Sequence, residues 1–148
     1  MSVVFHIGRI LFVAIFVWSG LGKLMDIAGT ANAIAAKVPI PAALADLSTQ
    51  LEAAAGMPTP QILAILVGVV EVVGALLIIF NLGTRWAALL LAIFTVVTTV
   101  FFHDFWNMTG ADRSANMVQA FKNVSLIGGF LMLFVLGSWR PAPAERSY

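Results

Sequence analysis

The 148-residue sequence contains no cysteine, and only 10% of its residues are charged. The absence of cysteine excludes disulfide bonds, thiol redox catalysis and cysteine-ligated metals within this chain. Soluble domains carry about 25% charged residues, so most of this chain is not built to face water. The two histidines, His6 and His103, lie far apart, and we expect no metal site formed by this chain alone. A net charge of +1 gives no electrostatic reason to expect a nucleic-acid partner.

Hydrophobic residues make up 61% of the chain, and the mean hydropathy is +1.00. Long apolar runs predict membrane-spanning helices at about residues 3–24, 60–80, 84–102 and 115–136. The first run lacks a basic segment before it and a clear cleavage site after it, so we interpret it as an uncleaved helix. The sequence therefore predicts an all-α, integral membrane four-helix bundle that forms one domain over residues 1–148.

A long connection joins the first two predicted spans. Val38-Pro39-Ile40-Pro41 interrupts any helix there. From about residue 42 to 55, the spacing of Leu44, Leu47 and Leu51 predicts a short amphipathic helix. Because this helix is too short to span a bilayer, we expect it to lie on the membrane surface or to cap the bundle.

One carboxylate, Glu71, lies in the middle of the second predicted span. A charge at the bilayer centre costs about 2.5–3.5 kcal/mol on insertion scales, so we expect Glu71 to have a partner or a function. Arg9 and Lys122 differ from it in depth by only about 6–7 Å, and either side chain could reach it. We therefore expect Arg9, Glu71, His103 and Lys122 to line one interior cavity. The alternative is an Arg9–Glu71 ion pair that fixes helix register, with His103 and Lys122 at the membrane interface.

Three further residues are expected to support this polar cluster. Lys23 could face the bundle interior beside Arg9 or extend to the membrane interface. Trp106 follows His103 and suits either an aromatic wall of the pocket or an interface anchor. Asn123 is adjacent to Lys122.

Several short motifs occur in an order that is similar to that of the DoxX family of membrane proteins. These are Gly8-Arg9-Ile10-Leu11, Ser19-Gly20-Leu21-Gly22-Lys23-Leu24, Ala28-Gly29-Thr30, Val38-Pro39, Glu71-Val72-Val73-Gly74, Leu82-Gly83-Thr84-Arg85, Phe102-His103 and Phe121-Lys122-Asn123. The resemblance implies a four-helix protein of the bacterial inner membrane. It also implies an association with quinone-linked oxidation or with membrane oxidoreductase assemblies, as for some members of that family.

The function predicted from these features is that of an accessory subunit of a membrane redox assembly, whose polar intramembrane pocket holds a quinone or a lipid. His103, Lys122 and Trp106 would supply donors and aromatic surface, and Glu71 would take part in proton uptake. No redox cofactor and no self-contained catalytic centre are encoded, so the chain would be at most a quinone-linked oxidoreductase subunit. Two alternatives are a proton-coupled carrier of a small solute, working as a homo-oligomer, and a purely structural subunit of a larger membrane complex.

Four spans place both termini on the same side of the membrane. Lysines and arginines are almost balanced between the two sides, so the positive-inside rule discriminates weakly. Arg140 and Arg146 in the C-terminal tail favour cytoplasmic termini.

Overall fold

The computed structural model describes residues 3–137, and these form six α-helices joined by short connections. The helices are α1 Val3–Met25, α2 Ile27–Lys37, α3 Ala45–Ala55, α4 Thr59–Ile79, α5 Thr84–Phe102 and α6 Gly110–Leu136. Within the described residues, the segments of α1, α4, α5 and α6 are long and apolar enough to cross a membrane. The prediction of an all-α membrane four-helix bundle with a short amphipathic helix in its first long connection is confirmed.

Local sequence explains where the central helices start and stop. Pro60 lies in the first turn of α4, where its missing N–H costs no hydrogen bond. The turn from α4 to α5 places Asn81 and Gly83 in the left-handed region, each with φ of 58°. So short a turn makes α4 and α5 antiparallel neighbours.

Helix α1 packs closely on α4 because two glycines face each other. A Cβ on Gly20 would lie 2.8 Å from the carbonyl oxygen of Gly68, and a Cβ on Gly68 would lie 2.8 Å from the Leu24 side chain. Such close approach maximises van der Waals contact, which is the main attraction between helices in lipid. Helix α6 packs mainly along α5. Its Phe130 also contacts α1, where the ring lies edge-on to Phe12 with the two ring centres 4.9 Å apart.

Helix α2 lies in the long connection between the first two spans, where the sequence predicted only one short helix at about residues 42–55. Asp26 separates it from α1 as a single non-helical residue, and its carboxylate accepts a 2.9 Å hydrogen bond from the Gly29 N–H. This is an N-cap, and it is the sequence signal that could have revealed the helix. Helix α2 packs on α4 by burying Ala31 and Ile34 against Ala64.

Two other helix boundaries differ from the prediction. Helix α3 follows a single 3₁₀ turn at Ala42–Leu44 rather than beginning at residue 42. Helix α6 begins at Gly110, five residues before the predicted start of the fourth span at about residue 115. Asp112 lies in the first turn of α6, where a negative charge stabilises the helix dipole.

Candidate ligand site inside the bundle

Glu71 is paired with Lys23 in the interior of the bundle. The Lys23 Nζ lies 2.7 Å from the Glu71 Oε2, and the Ser19 hydroxyl donates to the Glu71 Oε1 at 3.3 Å. Lys23 also donates to the Ser19 hydroxyl one helical turn earlier. The Glu71 side chain is 6% exposed and the Lys23 side chain 27% exposed. Each carboxylate oxygen therefore has a donor, as a buried charge requires.

The direction of side chains on antiparallel helices brings this pair together. Because Leu24 contacts Gly68, Lys23 lies about one turn from Glu71, on the side of the connecting loops. Each Cα–Cβ bond tilts toward the N-terminus of its own helix. Lys23 on α1 therefore leans toward Glu71, and Glu71 on α4 leans toward Lys23.

A cavity of about 440 Å³ opens beside this ion pair, between α1, α2, α4, α5 and α6. Its walls include the aromatic rings of Phe16, Phe94 and Phe102. Polar side chains reach it at several points: Ser19, Lys23, Thr30, Glu71, Thr95, Thr98, His103, Gln119 and Asn123. Mainly apolar walls with a few convergent polar groups, at this volume, are typical of small-molecule sites.

The second polar part of the cavity lies where α5 ends. The His103 Nδ1 is 3.0 Å from the Asn116 Oδ1 of α6, and the Asn123 amide donates to the Thr99 hydroxyl at 2.8 Å. Since the Asn116 amide oxygen can only accept, the bond is consistent with a proton on Nδ1 and a free Nε2. These groups could bind an organic ligand. Among residues 3–137, no three His, Asp or Glu side chains are close enough together to hold a metal ion.

The predicted Arg9–Glu71 contact is wrong. Arg9 is buried, but its Nη1 points to the carbonyl oxygen of Ile78 at 3.5 Å, and its guanidinium lies 4.7 Å from the centre of the Phe5 ring. Ile78 is seven residues beyond Glu71, about 10 Å along α4. Arg9 leans toward the N-terminus of α1, so its side chain extends away from Glu71 and does not line the cavity.

The placement of Lys122 also differs from the prediction. Its side chain is exposed on the outer face of α6, and its Nζ donates to the Gln119 Oε1 at 2.8 Å. Trp106 is 53% exposed and packs edge-on against Phe105, outside the cavity lining. The structure thus brings together Glu71, His103, Lys23 and Asn123, and it leaves Arg9, Lys122 and Trp106 elsewhere.

The sequence analysis left open whether Lys23 faces the bundle interior or extends to the membrane interface, and it did not name Lys23 as the partner of Glu71. The structure places Lys23 in the interior beside Glu71. The segment Ser19-Gly20-Leu21-Gly22-Lys23 carried the relevant signal. Ser19 and Lys23 are four residues apart and share a helix face with the close-packed Gly20.

Comparisons with known proteins agree with this architecture. The DoxX family model matches residues 4–104, a range that includes Lys23, Glu71 and His103. The chain is 36% identical over 131 residues to the inner membrane protein YphA of Escherichia coli (strain K12), covering 88% of this chain and 81% of that relative. It is 30% identical over 131 residues to the inner membrane protein YqjF of the same organism, covering 88% and 82% of the two chains. No solved structure matches.

Proposed function

The chain belongs to the DoxX family and is a bacterial inner membrane protein, and from that premise we propose that its cavity binds a quinone. In this proposal the protein is an accessory subunit of a membrane redox assembly. The observation that carries it is the cavity itself, which combines aromatic walls with partly buried polar side chains. A quinone head is a flat apolar ring with two carbonyl acceptors, so aromatic surface and donors are what it needs.

Two regions of the cavity suit the two carbonyl groups. The Lys23 ammonium group has three N–H donors and uses only some of them on Glu71 and Ser19. The Nε2 of His103 and the amide of Asn123 supply polar atoms at the other region. Phe16, Phe94 and Phe102 offer ring faces between them.

Reduction of a quinone adds two electrons and two protons. In the proposed assembly the electrons come from a partner redox protein, and this chain positions the ring and supplies protons to its oxygens. Lys23 would donate a proton to one carbonyl oxygen, and Glu71 would take up a proton from the aqueous side and pass it to Lys23. His103 would act in the same way at the other oxygen in its doubly protonated form, with the proton on Nε2 supplied from water.

Binding can be tested with one cavity variant and one matched control. Ala33 and Ala35 are both exposed on α2, but Ala33 lines the cavity and Ala35 does not. We expect Ala33→Phe to fill the space that the quinone ring needs, and Ala35→Phe to leave that space unchanged. The measurement is the quinone content of protein purified in detergent, together with its affinity for an added short-chain quinone.

The expected result is at least a tenfold weaker affinity for Ala33→Phe than for the wild type, with Ala35→Phe unchanged. Equal quinone content in all three proteins would mean that quinone only dissolves in the detergent, and it would overturn the proposal. A wild-type protein that binds no quinone but copurifies with a large partner would favour a purely structural subunit.

We also propose that both termini are cytoplasmic. Lys23 is occupied by Glu71 inside the bundle, so it adds no charge to the connecting-loop side. That side then has Lys37 and Arg113, with Lys122 near it in α6, against Arg85 together with Arg140 and Arg146, of which the last two lie outside the described residues. The two counts are balanced, so the proposal depends on the two arginines of the C-terminal tail, which favour a cytoplasmic location.

The absence of cysteine makes the orientation simple to measure. Ala43→Cys introduces one thiol in the long connection, and Leu82→Cys introduces one in the exposed α4–α5 turn. With an opened outer membrane and intact inner membrane, a membrane-impermeant maleimide should label position 43 and not position 82. The reverse pattern would contradict the proposed orientation.

A further inference from the structure

Two arginines, Arg9 and Arg85, lie at the end of the bundle where α4 and α6 end. They occupy similar positions at the two helix ends but differ in burial. Arg9 points to the carbonyl oxygen of Ile78, in the last turn of α4, and Arg85 donates to the carbonyl oxygen of Phe134, in the last turn of α6. Both guanidinium groups also lie over a phenylalanine ring, at 4.7 and 5.1 Å from the ring centre. Each arginine therefore stabilises the negative end of a helix dipole.

The two arginines differ in burial and in the state of their Nε atoms. Arg85 is exposed, and its Nε makes a 3.0 Å hydrogen bond. Arg9 is only 3% exposed, and its Nε is buried without a hydrogen-bond partner. Its bond to Ile78 is 3.5 Å long, at the limit of a hydrogen bond. Arg9 thus has less access to water than Arg85 and a longer hydrogen bond to its one carbonyl acceptor.

No carboxylate neutralises Arg9 in the described part of the chain. The ion pairs between residues 3 and 137 are Lys23–Glu71 and Lys37–Asp104, so the interior carboxylate is already occupied. A buried cation with neither a counter-charge nor a full set of acceptors is costly. An unsatisfied buried donor of this kind calls for an acceptor from outside the chain.

We propose that Arg9 binds the phosphate group of an anionic phospholipid. The Nε edge of a guanidinium carries parallel N–H groups whose spacing matches two phosphate oxygens. Arg9 lies level with Ile78 at the end of α4, which is the depth at which lipid headgroups meet the hydrocarbon. Val4, Ile7 and Leu11 on the same helix are exposed, and they offer an apolar surface for the acyl chains.

The Phe5 ring controls access to this site. It covers one face of the Arg9 guanidinium and is itself 37% exposed at the surface of the bundle. In this proposal, a rotation of the Phe5 side chain would expose the Arg9 guanidinium to a headgroup. The site is separate from the quinone cavity, whose lining does not include Arg9.

The test measures lipid-dependent stability of the full-length protein in a neutral detergent. We expect added phosphatidylglycerol to raise the melting temperature of the wild type, and phosphatidylcholine or inorganic phosphate to have little effect. Arg9→Gln should abolish this rise, and Arg85→Gln should retain it. Native mass spectrometry should show at least tenfold fewer bound phosphatidylglycerol molecules for Arg9→Gln than for Arg85→Gln.

Each other outcome overturns the proposal. An equal rise with inorganic phosphate would indicate a site for free anions rather than for lipid. No rise with any addition would show that Arg9 serves only as a cap for α4. If Arg9→Gln does not fold, the wild-type measurements still decide, and Arg9→Lys, which keeps the charge but loses the forked geometry, should bind the lipid more weakly than the wild type.

Discussion

Replacing Lys23 with methionine is the most direct test of the interior ion pair. The substitution keeps an unbranched apolar side chain of similar length and removes the ammonium group 2.7 Å from the Glu71 Oε2. Glu71 would keep only the 3.3 Å bond from Ser19. A carboxylate that is 6% exposed would then have no positive partner.

The size of the effect follows from the burial of the two partners. Breaking a fully buried ion pair by removing one partner costs about 3–5 kcal/mol, mostly because a charge is left unpaired. The Lys23 side chain is 27% exposed, so part of the interaction is screened. We therefore expect Lys23→Met to lower the free energy of unfolding by about 2–3 kcal/mol.

The reciprocal variant should cost less. Glu71→Leu leaves Lys23 unpaired, but that side chain reaches the surface and can be hydrated, so we expect a loss of about 1–2 kcal/mol. The double variant Lys23→Met with Glu71→Leu has no stranded charge. Its stability should lie within about 1 kcal/mol of the wild type, because apolar replacements of buried pairs are often neutral.

The assay is unfolding by dodecyl sulfate titration in mixed micelles, followed by circular dichroism for all four proteins. A double-mutant cycle then isolates the coupling between the two side chains. We expect a coupling of about 2–6 kcal/mol, which is the sum of the two single losses less the change in the double variant. Losses that simply add, with a coupling below about 0.5 kcal/mol, would show that the pair does not act as a unit.

Two further predictions concern helix packing and pH. In the same titration, Gly20→Ala should lower the free energy of unfolding by about 1–3 kcal/mol, because its Cβ would lie 2.8 Å from the Gly68 carbonyl oxygen. Gly22 has open space around it, so Gly22→Ala should be neutral or slightly stabilising. Equal losses of stability in the two variants would contradict the close packing at Gly20. The hydrogen bond from the Thr59 N–H lowers the pKa of the Glu52 carboxyl group in the folded protein. The contact therefore stabilises the α3–α4 junction fully at pH values above the ordinary glutamate pKa of about 4.3. This stabilisation is lost as the pH falls toward the lower pKa of the folded state. Hydrogen exchange at Thr59, corrected for its intrinsic pH dependence, should lose protection over that range in the wild type, and a Glu52→Gln protein that shows the same pH profile would refute this assignment.

The four membrane spans could be predicted because their signal is a physical length. A helix needs about 20 consecutive, mostly apolar residues to cross the hydrocarbon core, and runs of that length are easily distinguished from the shorter apolar segments of soluble proteins. The predicted spans 3–24, 60–80 and 84–102 accordingly differ from Val3–Met25, Thr59–Ile79 and Thr84–Phe102 by one residue at most at each end.

Helix boundaries outside the apolar runs could not be predicted in the same way. Hydropathy falls at the membrane surface whether or not the backbone remains helical, so the polar residues 110–114 resembled a loop although α6 already includes them. Helix α2 was not predicted for a related reason. Its short length and high alanine content give only a weak amphipathic pattern, and its one clear mark is the cap formed by Asp26 and Gly29.

The partner of Glu71 depended on the direction of side chains rather than on depth alone. The Glu71 carboxylate is displaced from its Cα toward the connecting loops, because α4 begins there. A cation on the antiparallel α1 is displaced the opposite way, so the two groups converge only when the cation lies on the loop side of Glu71. Lys23 meets this condition, whereas Arg9 lies on the other side, where the two displacements increase the separation. A comparison of Cα depths alone therefore favoured Arg9 over Lys23 as the partner of Glu71. When the tilt of each side chain toward the N-terminus of its helix is included, the same sequence predicts Lys23.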